Sequence, residues 1–100
     1  MSESKYATVA ELLEDPLRWC KGAEAIDING ARCDAGGSDA VSWCLTGACW
    51  RVYGLSACHA FNALDRIVLG DLGYMSVVGF NDSPKTTHAD VLALVKKAGI

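Results

Sequence analysis

The spacing of apolar residues changes along the chain, and each change predicts an element. Val9, Leu12, Leu13 and Leu17 recur at helical intervals after Thr8-Val9-Ala10-Glu11. Those four residues form a capping box, in which Thr8 accepts from the Glu11 N–H and Glu11 reaches back. Asp15-Pro16 breaks the stripe. Asp15 suits an N-cap and Pro16 the first helical position, so the pattern predicts helices over 8–14 and 16–21, with Gly22 as the stop. Strict alternation then takes over in Ala25–Asp34 around Asn29-Gly30, which predicts a β-hairpin (25–28/31–34) with a two-residue type I′ turn. In that register Ile28 faces Ala31, Asp27 faces Arg32 and Ile26 faces Cys33. Ile26, Ile28, Ala31 and Cys33 then form one apolar face, which needs helices to pack on.

After the flexible Ala35-Gly36-Gly37, with Ser38 or Asp39 as cap, a helix is predicted over 39–53. Its apolar residues run almost all round, from Val41 and Trp43 to Val52 and Tyr53, which places it in the middle of a domain. Trp43, Cys44, Ala48 and Leu64 are expected to be largely buried. A further helix over 56–69 carries the stripe Ala57, Ala60, Phe61, Leu64, Ile67 and Val68. Met75–Phe80 fits a strand or a short helix, and Asn81-Asp82-Ser83-Pro84 reads as a turn. Thr87-His88-Ala89-Asp90 is a capping-box variant opening the last helix, and Lys96 and Lys97 suit the negative end of its dipole. The expected fold is α+β and mainly α: four to five helices around a central helix 39–53, with one hairpin, in a single globular domain over 1–100 whose residues 1–6 fray.

Charge and cysteine content narrow the setting. The chain has 100 residues and a net charge of −3. Neither half is basic enough to track a phosphate backbone, so direct nucleic-acid binding is not expected. No apolar run is long enough to span a bilayer, and the first residues lack the apolar stretch of a signal peptide. Five cysteines make an odd number, against a secreted disulfide framework. A reducing cytoplasm with free thiols is the expected address.

Four constellations carry possible chemistry. Gly47-Ala48-Cys49-Trp50 matches part of a papain-type signature. A thiol there needs a helix N-terminus to lower its pKa, and the predicted helix puts Cys49 deep inside. Cys44 with His88 and Asn81 or Asp82 is a Cys–His–Asn/Asp set that could activate a thiolate, as a small enzyme or a thiol sensor. Nothing in the sequence brings Cys44 and His88 together. Cys44, Cys49, Cys58 and His59 supply zinc-ligand types, but no C-x2-C pair is present and a helical offset of five residues points two thiols apart. Last, Trp19, Trp43, Trp50, Tyr53 and Phe80 form an aromatic set. Tryptophans anchor interfaces as often as cores. Trp19, Trp50 and Tyr53 are the expected contacts with a protein partner or a second copy, and no cofactor is expected.

Several segments together resemble one family. They are Leu13–Trp19 with Gly22-Ala23, Val41–Ala48, Val77–Pro84 and Thr87–Leu94, carrying W-C-x-x-G-A and F-N-D-x-P-x-x-T-H elements. The chain resembles a family of small uncharacterised proteins from bacteria and their phages. The resemblance implies a bacterial or phage cytoplasm and transfers no mechanism. The reading drawn from the sequence is a non-enzymatic interaction or regulatory protein. One form of it is a phage- or mobile-element-encoded inhibitor of a bacterial defence complex.

Overall fold

Thr8 holds the first helix, α1 (Val9–Leu12), by accepting from the Glu11 N–H at 3.1 Å. The computed structural model describes residues 6–100. Fraying of residues 1–5 therefore lies outside the described residues. Tyr6, expected to fray with them, is instead half-buried against the core, with the Arg18 guanidinium 5.0 Å from its ring centroid. Asp15 caps as expected, accepting from Leu17 N at 2.9 Å, but the helix predicted over 16–21 is a single 3-10 turn, Pro16–Arg18. Trp19 ends it by adopting extended backbone and bridging Trp43 in parallel.

The chain does reverse at Asn29-Gly30, with the register moved by one residue. Asp27 N donates to Ala31 O and Gly30 N to Asp27 O, both at 2.9 Å, and Ile26 bridges Arg32. The cause is the Asp27 side chain. Its Oδ1 accepts from both Asn29 N (2.9 Å) and Ala31 N (3.0 Å), which fixes a three-residue loop with Gly30 at φ +82° in place of the two-residue turn. A one-residue slip turns side chains to the other face. Ile28, expected on the packed face, is 85% exposed.

The regular strand pair is β1 (Ala25–Ile26) with β2 (Ser42–Trp43), antiparallel, Ala25 opposite Trp43. It corrects the predicted helix 39–53. Val41 N donates to Ile26 O and Cys44 N to Glu24 O, while the Ser42 hydroxyl donates to Leu17 O at 2.6 Å. These bonds hold 41–44 extended, and α2 runs only from Leu45 to Tyr53. An apolar run buried on every side cannot tell strand from helix by its period, so pairing decides.

α2 is nonetheless central. It buries Leu45, Gly47, Ala48 and Cys49, and packs against α1, α3 (Cys58–Asp65), α4 (Val77–Asp82) and β2. α3 continues into a π-helical turn, Arg66–Asp71, after which Gly73 (φ +75°) redirects the chain. Met75–Phe80 resolves as helix from Val77, because the Ser76 side chain accepts from Gly79 N. Asn81 and Asp82 are therefore the last turn of α4 and not turn formers. α5 (His88–Ala98) opens on the complete Thr87/Asp90 capping box and closes on Gly99 in the left-handed region. It lies on α1 and α3, its Val91, Leu94 and Val95 buried with Leu12, Leu64 and Val68. The fold is mainly α with one small antiparallel strand pair. Trp43, Cys44, Ala48 and Leu64 are all buried. Among the described residues no helix is long and apolar enough to cross a membrane.

Candidate functional site

The two ends of α2 hold the chemistry, and they differ in kind. At the N-terminal end Cys44 is the N-cap, its Sγ accepting from Gly47 N at 3.4 Å and lying 3.1 Å from the Thr46 hydroxyl. Sulfur is a poor acceptor, so this cap leaves the first turn under-served. Asn81, 1% exposed, completes it from another element. Its Oδ1 accepts from Leu45 N (3.0 Å) and from Trp19 Nε1 (2.8 Å). Its Nδ2 donates to Cys20 O (3.1 Å) and to Asp82 Oδ1 (2.9 Å). Asp82 Oδ1 also accepts from Gly22 N at 3.0 Å. Every hydrogen-bonding site of the carboxamide is filled. A cavity of about 310 Å³ beside this junction is lined by Cys44, Thr46, Asn81, Asp82, Glu24 and Arg32, among others.

The proposed Cys–His–Asn/Asp set is thus only half assembled. Cys44, Asn81 and Asp82 meet at one cavity. His88 does not line it. Its Nε2 lies 2.6 Å from the Leu13 carbonyl, tying α5 to the end of α1, and its ring lies 6.2 Å from that of Trp19. The papain-type thiol, Cys49, is fully buried, and burial together with the Cys44 thiol pushes its pKa up to about 12. Burial, then Cys44, Asp82 and Cys33, push Cys20 to about 11. The sign is one of alkaline destabilisation. Above 9.0 the unfolded Cys49 thiol ionises while the folded one holds its proton, so the stability present below 9.0 drains away up to about 12.

The zinc set is dispersed by burial. Cys44 and Cys49 are inside, Cys58 is exposed, and His59 Nδ1 lies 2.7 Å from Ser56 O with its ring edge-on to Tyr53. Among the described residues no group of three or more His, Cys, Asp or Glu side chains is placed to hold a metal ion.

At the C-terminal end of α2 the picture reverses. Gly54 (φ +56°) stops the helix and turns the chain into a 3-10 segment, Gly54–Ser56. An open cavity of about 720 Å³ lies here, walled by the rings of Tyr6, Trp50 and Tyr53 with Leu55, Glu24 and Asp34 at its edges. Trp50 is 42% exposed and Leu55 96%. Trp50 packs edge-on to Phe61, with 5.7 Å between centroids, and the Tyr53 hydroxyl donates to Ile100 O at 2.9 Å, so both rings are held in place. Of the three expected contact residues, the structure brings Trp50 and Tyr53 together. Trp19 lies elsewhere, half-buried at the Asn81 junction. Sequence reasoning missed Glu24, Asp34, Leu55 and Tyr6, which lie far apart in the chain and share no period.

A buried helix with a saturated polar junction at its head and an open aromatic cavity at its tail is the frame of a small, mainly α protein. The chain belongs to the family of unknown function DUF6197, which matches residues 5–99. No curated protein and no solved structure matches it.

Proposed function

We propose that the protein acts by binding a protein partner through the cavity face of Trp50, Tyr53 and Leu55. The observation that carries the reading is the exposure of Trp50, held edge-on to Phe61, and of Leu55 close to Tyr53, whose hydroxyl is tied to Ile100. Large apolar side chains held in one rotamer lose little entropy on binding, which is why aromatic anchors dominate interfaces. A bacterial or phage cytoplasm is the proposed setting, supported by five free cysteines, two of them in the core. Inhibition of a bacterial defence complex by a phage-encoded copy is one form the reading takes.

A second reading, thiol chemistry at Cys44, draws support from its place at a helix N-terminus beside Asn81 and Asp82. It lacks a base, because His88 serves Leu13.

The test is photo-cross-linking from position 55 in native host cells. Met75, 93% exposed on the loop before α4, serves as an equally apolar control. The expected outcome is one discrete adduct from position 55 that disappears with Trp50→Ala, and none from position 75. Equal adducts from both positions would mean mere stickiness and defeat the reading. An adduct of twice the chain's mass would assign the face to a second copy instead.

A further inference from the structure

The cavity at the tail of α2 carries charge as well as apolar surface. Glu24 and Asp34 are among the residues that line it, both are exposed, and neither has an ion-pair partner among the described residues. Among the described residues of the lining the one cation, Arg51, is already engaged. Its guanidinium donates to Gly37 O (2.7 Å) and Ala35 O (3.4 Å) and lies 5.2 Å from the centroid of the Trp43 ring. The described lining is left with an excess of acidic side chains.

The rings point to the same chemistry. Three other rings already carry a cation from the chain itself: Arg18 over Tyr6, Lys21 over Trp19 and Arg51 over Trp43. Trp50 and Tyr53 carry no Lys or Arg among the described residues; their ring contacts are edge-on, with Phe61 and His59. They stand three residues apart on α2 and so share one face of the helix. A ring face and a carboxylate together favour a cation over an anion or a neutral apolar group. A planar guanidinium fits this pairing better than an ammonium, because it stacks on a ring while its fork donates to carboxylates.

We infer that this cavity takes an arginine side chain presented by the partner protein. The inference rests on the partner-binding reading above and names what the face recognises. A volume of about 720 Å³ leaves room for the flanking residues of the segment that carries the arginine.

The test is an NMR titration of the full chain with acetyl-Gly-Arg-Gly-amide and with its neutral citrulline counterpart, read at the Trp50 indole N–H. The arginine peptide is expected to shift this resonance at millimolar concentrations and to bind roughly fivefold tighter than citrulline or more. In the Glu24→Gln/Asp34→Asn double variant the two peptides should become equivalent, with the rest of the spectrum unchanged. Equal binding of both peptides by the wild-type chain would overturn the inference. So would an unmoved Trp50 resonance, or a lysine peptide that binds as well as the arginine one. If position 55 still gives its discrete adduct while the arginine peptide fails, the partner reading stands and only the arginine assignment falls.

Discussion

Gly47→Ala should destabilise the protein by about 2–4 kcal/mol, even though alanine is the better helix former by about 1 kcal/mol. Gly47 is in the first turn of α2, where β1's approach crosses the helix. A Cβ at this position would stand 1.9 Å from the Glu24 carbonyl oxygen and 2.8 Å from its carbon. Neither atom can swing away. The Glu24 oxygen accepts from Cys44 N at 3.1 Å, and the next residue, Ala25, is paired with Trp43. Relief requires lifting β1 off α2 and breaking the strand pair. Gly70→Ala is the control, since a Cβ there meets nothing within 4 Å. Its effect should be neutral or stabilising by up to about 1 kcal/mol. Urea unfolding of both variants reads the difference as a midpoint lowered by about 1–2 M for Gly47→Ala alone. A Gly47→Ala protein as stable as wild type would show that β1 does not lie against the helix.

Asn81→Ala should cost about 3–5 kcal/mol, at the upper end for a single polar substitution. Four hydrogen bonds are lost, and the N–H of fully buried Leu45 is left without a partner. Asn81→Asp separates charge from shape. It keeps the acceptor toward Leu45 and Trp19 but sets a second carboxylate beside Asp82 and the Cys20 carbonyl. Like charges raise the folded-state pKa of the pair, so the stability of this variant should be greatest below the ordinary carboxylate range and fall as pH rises through it. Thermal melts from acid to neutral pH read that slope. A flat profile would mean that the two side chains do not meet.

These two residues also mark how far the sequence could be read. The Thr8 and Thr87 caps and the stripe from Ala57 to Val68 are local, and local spacing reveals them. The start of α2 is not local. Val41 to Cys44 is apolar enough for either state, and what holds it extended comes from Leu17, Glu24 and Ile26. Asn81 looks like a turn residue in sequence because three of its four partners are 36 to 62 residues away. The hairpin was visible, but its register depended on one carboxylate, Asp27, choosing two backbone donors. The candidate site followed the same division. Trp50 and Tyr53 are legible in the sequence, with Trp19, as partner-contact candidates. Glu24, Asp34 and Tyr6 join them only through the tertiary fold.

Recognition is proposed at the tail of α2, with its head, at Cys44 and Asn81, as architecture. The most direct test is the rate of iodoacetamide labelling at each cysteine at neutral pH, native against unfolded, read by mass spectrometry. Exposed Cys58 is expected to label readily in the native protein, while Cys44 and Cys49, 6% and 0% exposed, label only after unfolding. A native Cys44 that labels as fast as Cys58 would contradict this and move the function to the thiol.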